Sequence, residues 1–142
     1  MNRERFLVFG AGSWGSSLAI QLFNAGNEVF LTSFDKKNLS KINTEKENKK
    51  YLPGVSLPKG ISIGSLCDKE IERATSILVC VKSTGFKDVL TLLGTKASEK
   101  KILWATKGFD PSSGSFLSTV AEQTLGKNIQ IGVISGPTFA EE

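Results

Sequence analysis

The sequence has 142 residues, which is enough for one domain, and its 39% hydrophobic and 23% charged residues are typical of a soluble globular protein. It contains no histidine, which excludes Ser–His and Cys–His catalysis and most metal sites, so we expect no bound metal. The net charge of +4 equals that of the lysine-rich stretch 36–50 alone, which we interpret as a solvated surface, and we expect no nucleic-acid partner.

The chain shows neither a targeting nor a membrane segment. Its longest apolar run, 77–81, is far shorter than the ~20 residues of a membrane span. The apolar run 6–9 is cut off by Gly10 and is too short for a secretory signal. The two cysteines, Cys67 and Cys80, form no CxxC pair. We therefore expect a cytoplasmic protein with no membrane partner.

Apolar strands alternate with amphipathic helices along the chain. The strands are predicted at 5–9, 28–34, 61–63, 76–81, 101–105 and 129–134. Helices are predicted at 13–25, with the stripe Trp14, Leu18, Leu22 and Ala25, at 68–74, over the stripe Phe86, Val89, Leu90 and Leu93, and over the stripe Leu117, Val120, Ala121 and Leu125. Ser112 and Ser113 are predicted to cap the last helix. Stretch 36–50 is predicted as a short helix or irregular, and 51–58, with two prolines and a glycine, as a loop.

This order predicts an α/β fold of the Rossmann type. It is a doubly wound, mainly parallel six-stranded sheet with helices on both faces. Such a sheet binds its ligand beyond the carboxyl ends of its strands. The residues that directly follow each strand are therefore the candidates for a site.

The first strand ends in GAGSWG, residues 10–15. In a dinucleotide-binding turn, Gly10 makes the tight bend, Gly12 lets a pyrophosphate approach the backbone, and Gly15 lets the helix pack close to the strand. The helix N-terminus would offer N–H groups to the phosphates. Because this string follows a strand and opens a helix, it predicts a dinucleotide site rather than a structural turn. Periodicity alone assigns Trp14 to core packing.

The end of the second strand leaves the choice between NAD and NADP open. Asp35 lies twenty residues after Gly15, where an acidic residue binds the ribose 2′-hydroxyl. Lys36 and Lys37 follow it and could instead accept a 2′-phosphate. A helix N-cap is an equally good explanation of Asp35.

Polar residues also follow the last three strands. Lys82 and Ser83 follow the fourth, where the nicotinamide half would lie. Lys107 follows the fifth, and a long cation there suits an anionic substrate. The loop 135–138 follows the sixth and should lie beside Lys107. Together these loops predict a substrate site.

Four motifs resemble one family over essentially the whole chain. They are GAGSWG at 10–15, YLPGVSLP at 51–58, LWATKG at 103–108 and ISGPTFAEE at 134–142. The sequence resembles the N-terminal domain of bacterial NAD(P)-dependent glycerol-3-phosphate dehydrogenases. The resemblance implies interconversion of sn-glycerol 3-phosphate and dihydroxyacetone phosphate by hydride transfer with NADP or NAD, feeding phospholipid synthesis.

The resemblance also implies roles for individual residues, with 1–142 as the NAD(P)-binding domain. It implies cofactor contacts for Ser13, Trp14, Lys107 and Ala140. Together with the glycine loop and the end of the second strand, the expected cofactor contacts are Gly10, Gly12, Ser13, Trp14, Gly15, Phe34, Asp35, Lys36, Lys107 and Ala140. Expected substrate contacts are Lys107, Gly136 and Thr138. Trp14 then becomes a wall of the cofactor site.

In the family, the general base is a lysine of an all-helical C-terminal domain, which also makes the dimer contact. We therefore expect no catalytic residue in 1–142, and expect this chain to be a monomeric, inactive fragment of a homodimeric enzyme.

Three positions depart from the family's pattern. Thr32 and Phe34 stand where a tryptophan and an arginine or histidine are frequent, and Lys82 stands where proline is common. Two other interpretations stay open: the cofactor domain of a related 3-hydroxy-acid or sugar-acid dehydrogenase, and a nucleotide-sensing domain without catalysis. Lys107 distinguishes the sensor from a dehydrogenase, because a sensor needs no lysine on the substrate side of the nicotinamide.

Overall fold

A parallel six-stranded sheet organises residues 3–136, the part of the chain that this computed structural model describes. The strands of the whole structure are β1 (Arg5–Phe9), β2 (Glu28–Thr32), β3 (Glu47–Asn48), β4 (Leu52–Ser56), β5 (Ser62–Ile63), β6 (Ser76–Val79), β7 (Lys101–Trp104) and β8 (Gln130–Val133). The large sheet has the order β5-β2-β1-β6-β7-β8, and its neighbouring strands all pair in parallel. This is the doubly wound order, so the predicted Rossmann-type fold is confirmed.

Helices cover both faces of this sheet. They are α1 (Ser13–Asn24), α2 (Lys36–Glu45), α3 (Asp68–Arg73), α4 (Ser83–Leu93) and α5 (Leu117–Leu125), with a 3-10 turn at Gly94–Ala97. Alternate residues of β1 separate two cores: Leu7 and Phe9 pack with residues of α4 and α5, whereas Val8 packs with residues of α1 and α2. None of the helices in the described part of the chain is long and apolar enough to cross a membrane.

Two strands end two residues earlier than predicted, and β7 and β8 each end one residue earlier. β2 ends at Thr32 rather than residue 34, because the chain turns there and the Ser33 hydroxyl accepts a hydrogen bond from the Asp35 N–H. β6 ends at Val79 rather than residue 81, and Lys82 is already the N-cap of α4. For β2 and β6 the predicted strand is too long because apolar residues continue beyond the last residue that pairs with a neighbouring strand.

The stripe predicted to bury α1 is confirmed only in part: Leu18 and Leu22 pack against the core as partly buried residues, whereas Ala25 is exposed. The buried residues of α1 are Gly15, Ser16 and Ala19, whereas Trp14 and Leu18 are only half-buried. The small residues face the sheet because α1 packs very closely against it. A Cβ atom at Gly15 would overlap the carbonyl oxygen of Gly10.

The predicted loop 51–58 is also wrong in part. β3 and β4 form an antiparallel hairpin, with Glu47 opposite Ser56 and Asn48 opposite Leu52. Most of β4 is exposed, so it carries no alternation of apolar and polar residues that would predict a strand. The preceding stretch forms helix α2, one of the two predicted alternatives.

Ser112 and Ser113 do not cap α5. That helix begins after Phe116 and has no side-chain cap. Both serine hydroxyls instead donate to the carboxylate of Asp110, at 2.6 and 2.7 Å, and close the loop before the helix.

Candidate functional site

The carboxyl ends of β1, β6 and β7 surround a cleft of about 570 Å³. Residues 12–15, 80–84 and 105–107 line it. β1 and β6 are adjacent in the sheet although they are not consecutive along the chain, so the cleft lies at the point where the strand order reverses. This is where open α/β sheets bind their ligands.

The three glycines of the loop differ in what requires them. Gly10 has a φ of +122°, and a Cβ there would overlap the carbonyl oxygen of Cys80. Gly15 must be small because α1 packs against Gly10. Gly12 has a φ of −80°, and a Cβ there would meet no atom of the described residues within 4 Å. The fold therefore explains Gly10 and Gly15, whereas Gly12 keeps space open on the cleft side.

Helix α1 begins at this open position. Gly12 is its N-cap, and its carbonyl accepts the first helical hydrogen bond from Ser16 N–H at 3.0 Å. No side chain caps the helix, and its first turn contains no acidic residue. The first backbone N–H groups have no acceptor within the helix, so this end of α1 suits an anionic group such as a pyrophosphate.

Trp14 lines the cleft and is half-buried. Leu18, which shares its predicted stripe, packs instead against the core on the α1 side of the sheet. The two members of the stripe therefore have different surroundings. The indole lies where it can contact a molecule in the cleft.

The residues predicted at the end of β2 lie outside this lining. The Phe34 ring is 55% exposed and its centroid is 4.9 Å from that of Phe9. Asp35 caps α2, since its Oδ1 accepts from Asn38 N–H at 3.0 Å, and its Oδ2 is 2.9 Å from Lys50 Nζ. The Lys50 ammonium and the Asn38 N–H together hold the pKa of Asp35 below its ordinary value. Lys36 is exposed at the start of α2.

A second cleft of about 460 Å³ adjoins the first and contains Lys107 and Gly136. Thr106 and Lys107 line both clefts. The structure thus brings the predicted substrate residues Lys107 and Gly136 to one place, next to the cleft lined by the glycine loop. Thr138 and Ala140 lie outside the described residues.

The sequence did not single out Cys80, Thr84, Ala105 or Thr106, which also line the first cleft. Burial raises the pKa of the Cys80 thiol to about 12, so it stays protonated and is no nucleophile. Thr106 is buried, and its hydroxyl has no hydrogen-bond partner among the described residues. For Cys80, Ala105 and Thr106, the position directly after β6 or β7 is the signal that could have found them, whereas Thr84 lies in the first turn of α4.

Within residues 3–136, no group of three or more cysteine or acidic side chains is placed to hold a metal ion. The polar groups that line the two clefts include backbone N–H groups, hydroxyls and lysine ammonium groups.

Comparison with known proteins decides the family. A family model described as NAD-dependent glycerol-3-phosphate dehydrogenase N-terminus matches residues 6–142. The chain belongs to this family. It is 37% identical over 139 residues to the glycerol-3-phosphate dehydrogenase [NAD(P)+] of Colwellia psychrerythraea, and 38% identical over 140 residues to that of Hydrogenovibrio crunogenus. These matches cover 97% and 95% of the chain, but only 42% and 40% of the relatives.

A solved structure agrees with this membership. The crystal structure of the glycerol-3-phosphate dehydrogenase of Coxiella burnetii matches with a TM-score of 0.87 and 32% identity. The match covers 97% of this chain and 42% of that one. As a member of the glycerol-3-phosphate dehydrogenase family, the chain therefore corresponds to the N-terminal, NAD-binding portion of these enzymes.

Proposed function

We propose that this chain is the cofactor-binding part of an oxidoreductase that interconverts sn-glycerol 3-phosphate and dihydroxyacetone phosphate with NADP or NAD. The observation that carries the proposal is Gly12. It is the one glycine of its loop that neither backbone strain nor a close contact within the fold requires. It faces open space at the uncapped start of α1, which is where a pyrophosphate would approach.

The residues of the first cleft fit the two halves of a dinucleotide. The N–H groups at the start of α1 would bind the pyrophosphate, and Ser13 and Trp14 would line its path toward β6. The nicotinamide, when bound, supplies the hydride chemistry. Thr106 and Lys107 lie between the two clefts and would separate cofactor from substrate.

The second cleft suits a small phosphorylated substrate. The Lys107 side chain is exposed there, and a cation favours both a phosphate and the negative charge that develops on an alkoxide oxygen. Gly136 lines the same cleft. The resemblance adds Thr138 on the substrate side and Ala140 on the cofactor side.

At the end of β2 we propose that lysines favour a cofactor with a 2′-phosphate. Both carboxylate oxygens of Asp35 already accept hydrogen bonds, from Asn38 and from Lys50. An Asp35 contact to a ribose 2′-hydroxyl would compete with these bonds. Lys36 and Lys50 supply positive charge beside it, and the N-terminus of α2 adds to that charge.

A matched pair of variants tests the substrate role. We expect Lys107→Ala to weaken the binding of glycerol 3-phosphate to the NADH-bound protein by about tenfold, the loss of one charge-assisted contact. Lys127→Ala, which removes an exposed lysine outside both clefts, should leave it unchanged. Equal binding by all three proteins would refute the substrate site and favour a nucleotide sensor.

The general base is proposed to lie in the part of the relatives that this chain does not match. We expect the chain to bind NADPH and yet to oxidise it with dihydroxyacetone phosphate far more slowly than a full-length enzyme. Absorbance at the nicotinamide band measures this. Turnover at the full-length rate would refute the proposal.

The wider setting belongs to the same proposal. We infer that the enzyme works in the cytoplasm and supplies glycerol 3-phosphate to phospholipid synthesis. We also infer that the dimer contact lies outside this chain, so that the chain alone is a monomer. Sedimentation of the purified chain tests the last point.

A further inference from the structure

A fully buried amide connects the β3–β4 hairpin to the glycine loop. Asn48 is 0% exposed. Its Nδ2 donates two hydrogen bonds, one to the carbonyl oxygen of Ala11 and one to the hydroxyl of Ser16, each at 2.9 Å. Ala11 stands between Gly10 and Gly12, and Ser16 lies in the first turns of α1.

The acceptor of the same amide is also used. Asn38 Nδ2, in α2, donates to Asn48 Oδ1 at 3.2 Å, and Asn38 is itself buried. The Asn48 side chain therefore links the hairpin, α2, the glycine loop and α1. A buried amide is costly unless it is hydrogen-bonded, and this one is bonded on both sides.

The hairpin is built so that this side chain points inward. Its register shifts between Glu47 and Asn48, which is a bulge-like irregularity. Such irregularities re-aim one side chain relative to its neighbours. Here Asn48 is fully buried while Lys49 and Lys50 on the same segment are exposed.

The bond to Ala11 orients a specific peptide plane. The carbonyl of Ala11 and the N–H of Gly12 belong to one planar, trans peptide unit and point in opposite directions. Holding the carbonyl toward Asn48 therefore aims the Gly12 N–H away from Asn48. Gly12 is also the residue that lines the cleft and keeps open space there.

We propose that Asn48 is a positioning residue that fixes the Ala11–Gly12 peptide plane and so presents the Gly12 N–H to the pyrophosphate of the cofactor. The inference rests on the proposed function, because it takes the glycine loop as the pyrophosphate site. Asn48 itself touches no ligand. Its effect on binding passes through the backbone of the loop.

Three ligands separate positioning from simple stability. ADP and NADH contain the pyrophosphate, whereas adenosine lacks it. We expect Asn48→Ala to weaken ADP and NADH binding by about tenfold, the size of one charge-assisted hydrogen bond, and to change adenosine binding by less than about twofold. Calorimetry at a temperature well below Tm measures NADH and ADP, and an NMR titration measures adenosine.

Asn38→Ala is the matched control. It also deletes a buried amide of this network, but it leaves both bonds of Asn48 Nδ2 in place. It is expected to lower Tm while keeping wild-type affinity for all three ligands. Ser16→Ala removes the second acceptor of Asn48 and keeps the bond to Ala11, so its ADP affinity should stay within about twofold. If Asn48→Ala does not fold, Asn48→Ser, which is too short to reach Ala11, takes its place with the same expectation.

The inference is overturned if the Asn48 variant binds ADP with wild-type affinity, or if its affinities for adenosine and for ADP fall by the same factor. It is also overturned if Asn38→Ala weakens the binding of ADP as much as the Asn48 variant does. A wild-type chain that binds neither NADH nor NADPH would instead refute the proposed function.

Discussion

Replacing each glycine of the 10–15 loop by alanine separates the demands of the fold from those of the ligand. At Gly10, a residue with a Cβ at a φ of +122° pays about 1–3 kcal/mol of backbone strain, and the Cβ also overlaps the Cys80 carbonyl. We expect Gly10→Ala to lose at least about 3 kcal/mol of unfolding free energy. For a domain of about this size, Tm then falls by roughly 6–12 °C. Gly15→Ala should behave similarly, because its Cβ overlaps the Gly10 carbonyl.

Gly12→Ala should leave the stability of the fold nearly unchanged and weaken the binding of the cofactor. The backbone conformation at Gly12 suits alanine, which restricts the unfolded chain and stabilises by about 0.4–1 kcal/mol. Alanine is a poorer N-cap than glycine by a similar amount, so the net change in stability is within about 1 kcal/mol. The added methyl group occupies the space on the cleft side and should raise the Kd for NADH at least about tenfold, or 1.4 kcal/mol.

Two measurements on each variant test this. Differential scanning calorimetry gives Tm, and isothermal titration with NADH gives Kd for the variants that fold. A Gly12→Ala variant that is as unstable as Gly10→Ala would show that the fold also needs Gly12. A stable Gly12→Ala variant with wild-type NADH affinity would show that no ligand approaches the backbone there.

Three further perturbations probe other parts of the structure. The Thr32 hydroxyl is buried and has no partner among residues 3–136, so Thr32→Val should raise Tm by about 2–4 °C, and a fall in a thermal melt would contradict this. The hydroxyls of Ser112 and Ser113 lower the pKa of Asp110. The contribution of this carboxylate to the free energy of unfolding is therefore complete above about pH 3.9 and is lost as the pH falls through the lowered pKa. The gap in urea midpoint between wild type and Asp110→Asn should therefore be largest near pH 6 and close toward pH 2; a constant gap would exclude the carboxylate as its cause. Lys50→Gln should raise the Kd for NADPH about fivefold and leave the Kd for NADH unchanged. Lys49→Gln is the control, because Lys49 pairs with Glu45, and it should change neither Kd. If Lys50→Gln weakened the binding of both cofactors equally, Lys50 would not belong to the 2′-phosphate site.

The sequence by itself determined the sheet and the family. Strands that are apolar throughout, such as residues 6–9 and 77–79, must be covered on both faces, and their alternation with helices leaves few arrangements other than a parallel doubly wound sheet. The position of GAGSWG at the end of β1 follows from local sequence, because the turn there needs a positive φ, which glycine adopts readily at Gly10. The family followed from four motifs read in order.

Only the tertiary structure decided which side chains meet. Asp35 forms an ion pair because the β3–β4 hairpin brings Lys50, fifteen residues away in sequence, to the start of α2. Trp14 borders a cleft rather than the core because Gly15, Ser16 and Ala19 bring α1 too close to the sheet for a large side chain between them. Asn48 reaches the carbonyl of Ala11 across 37 residues of sequence. Contacts of this kind depend on how elements pack, and neither periodicity nor spacing along the chain records them.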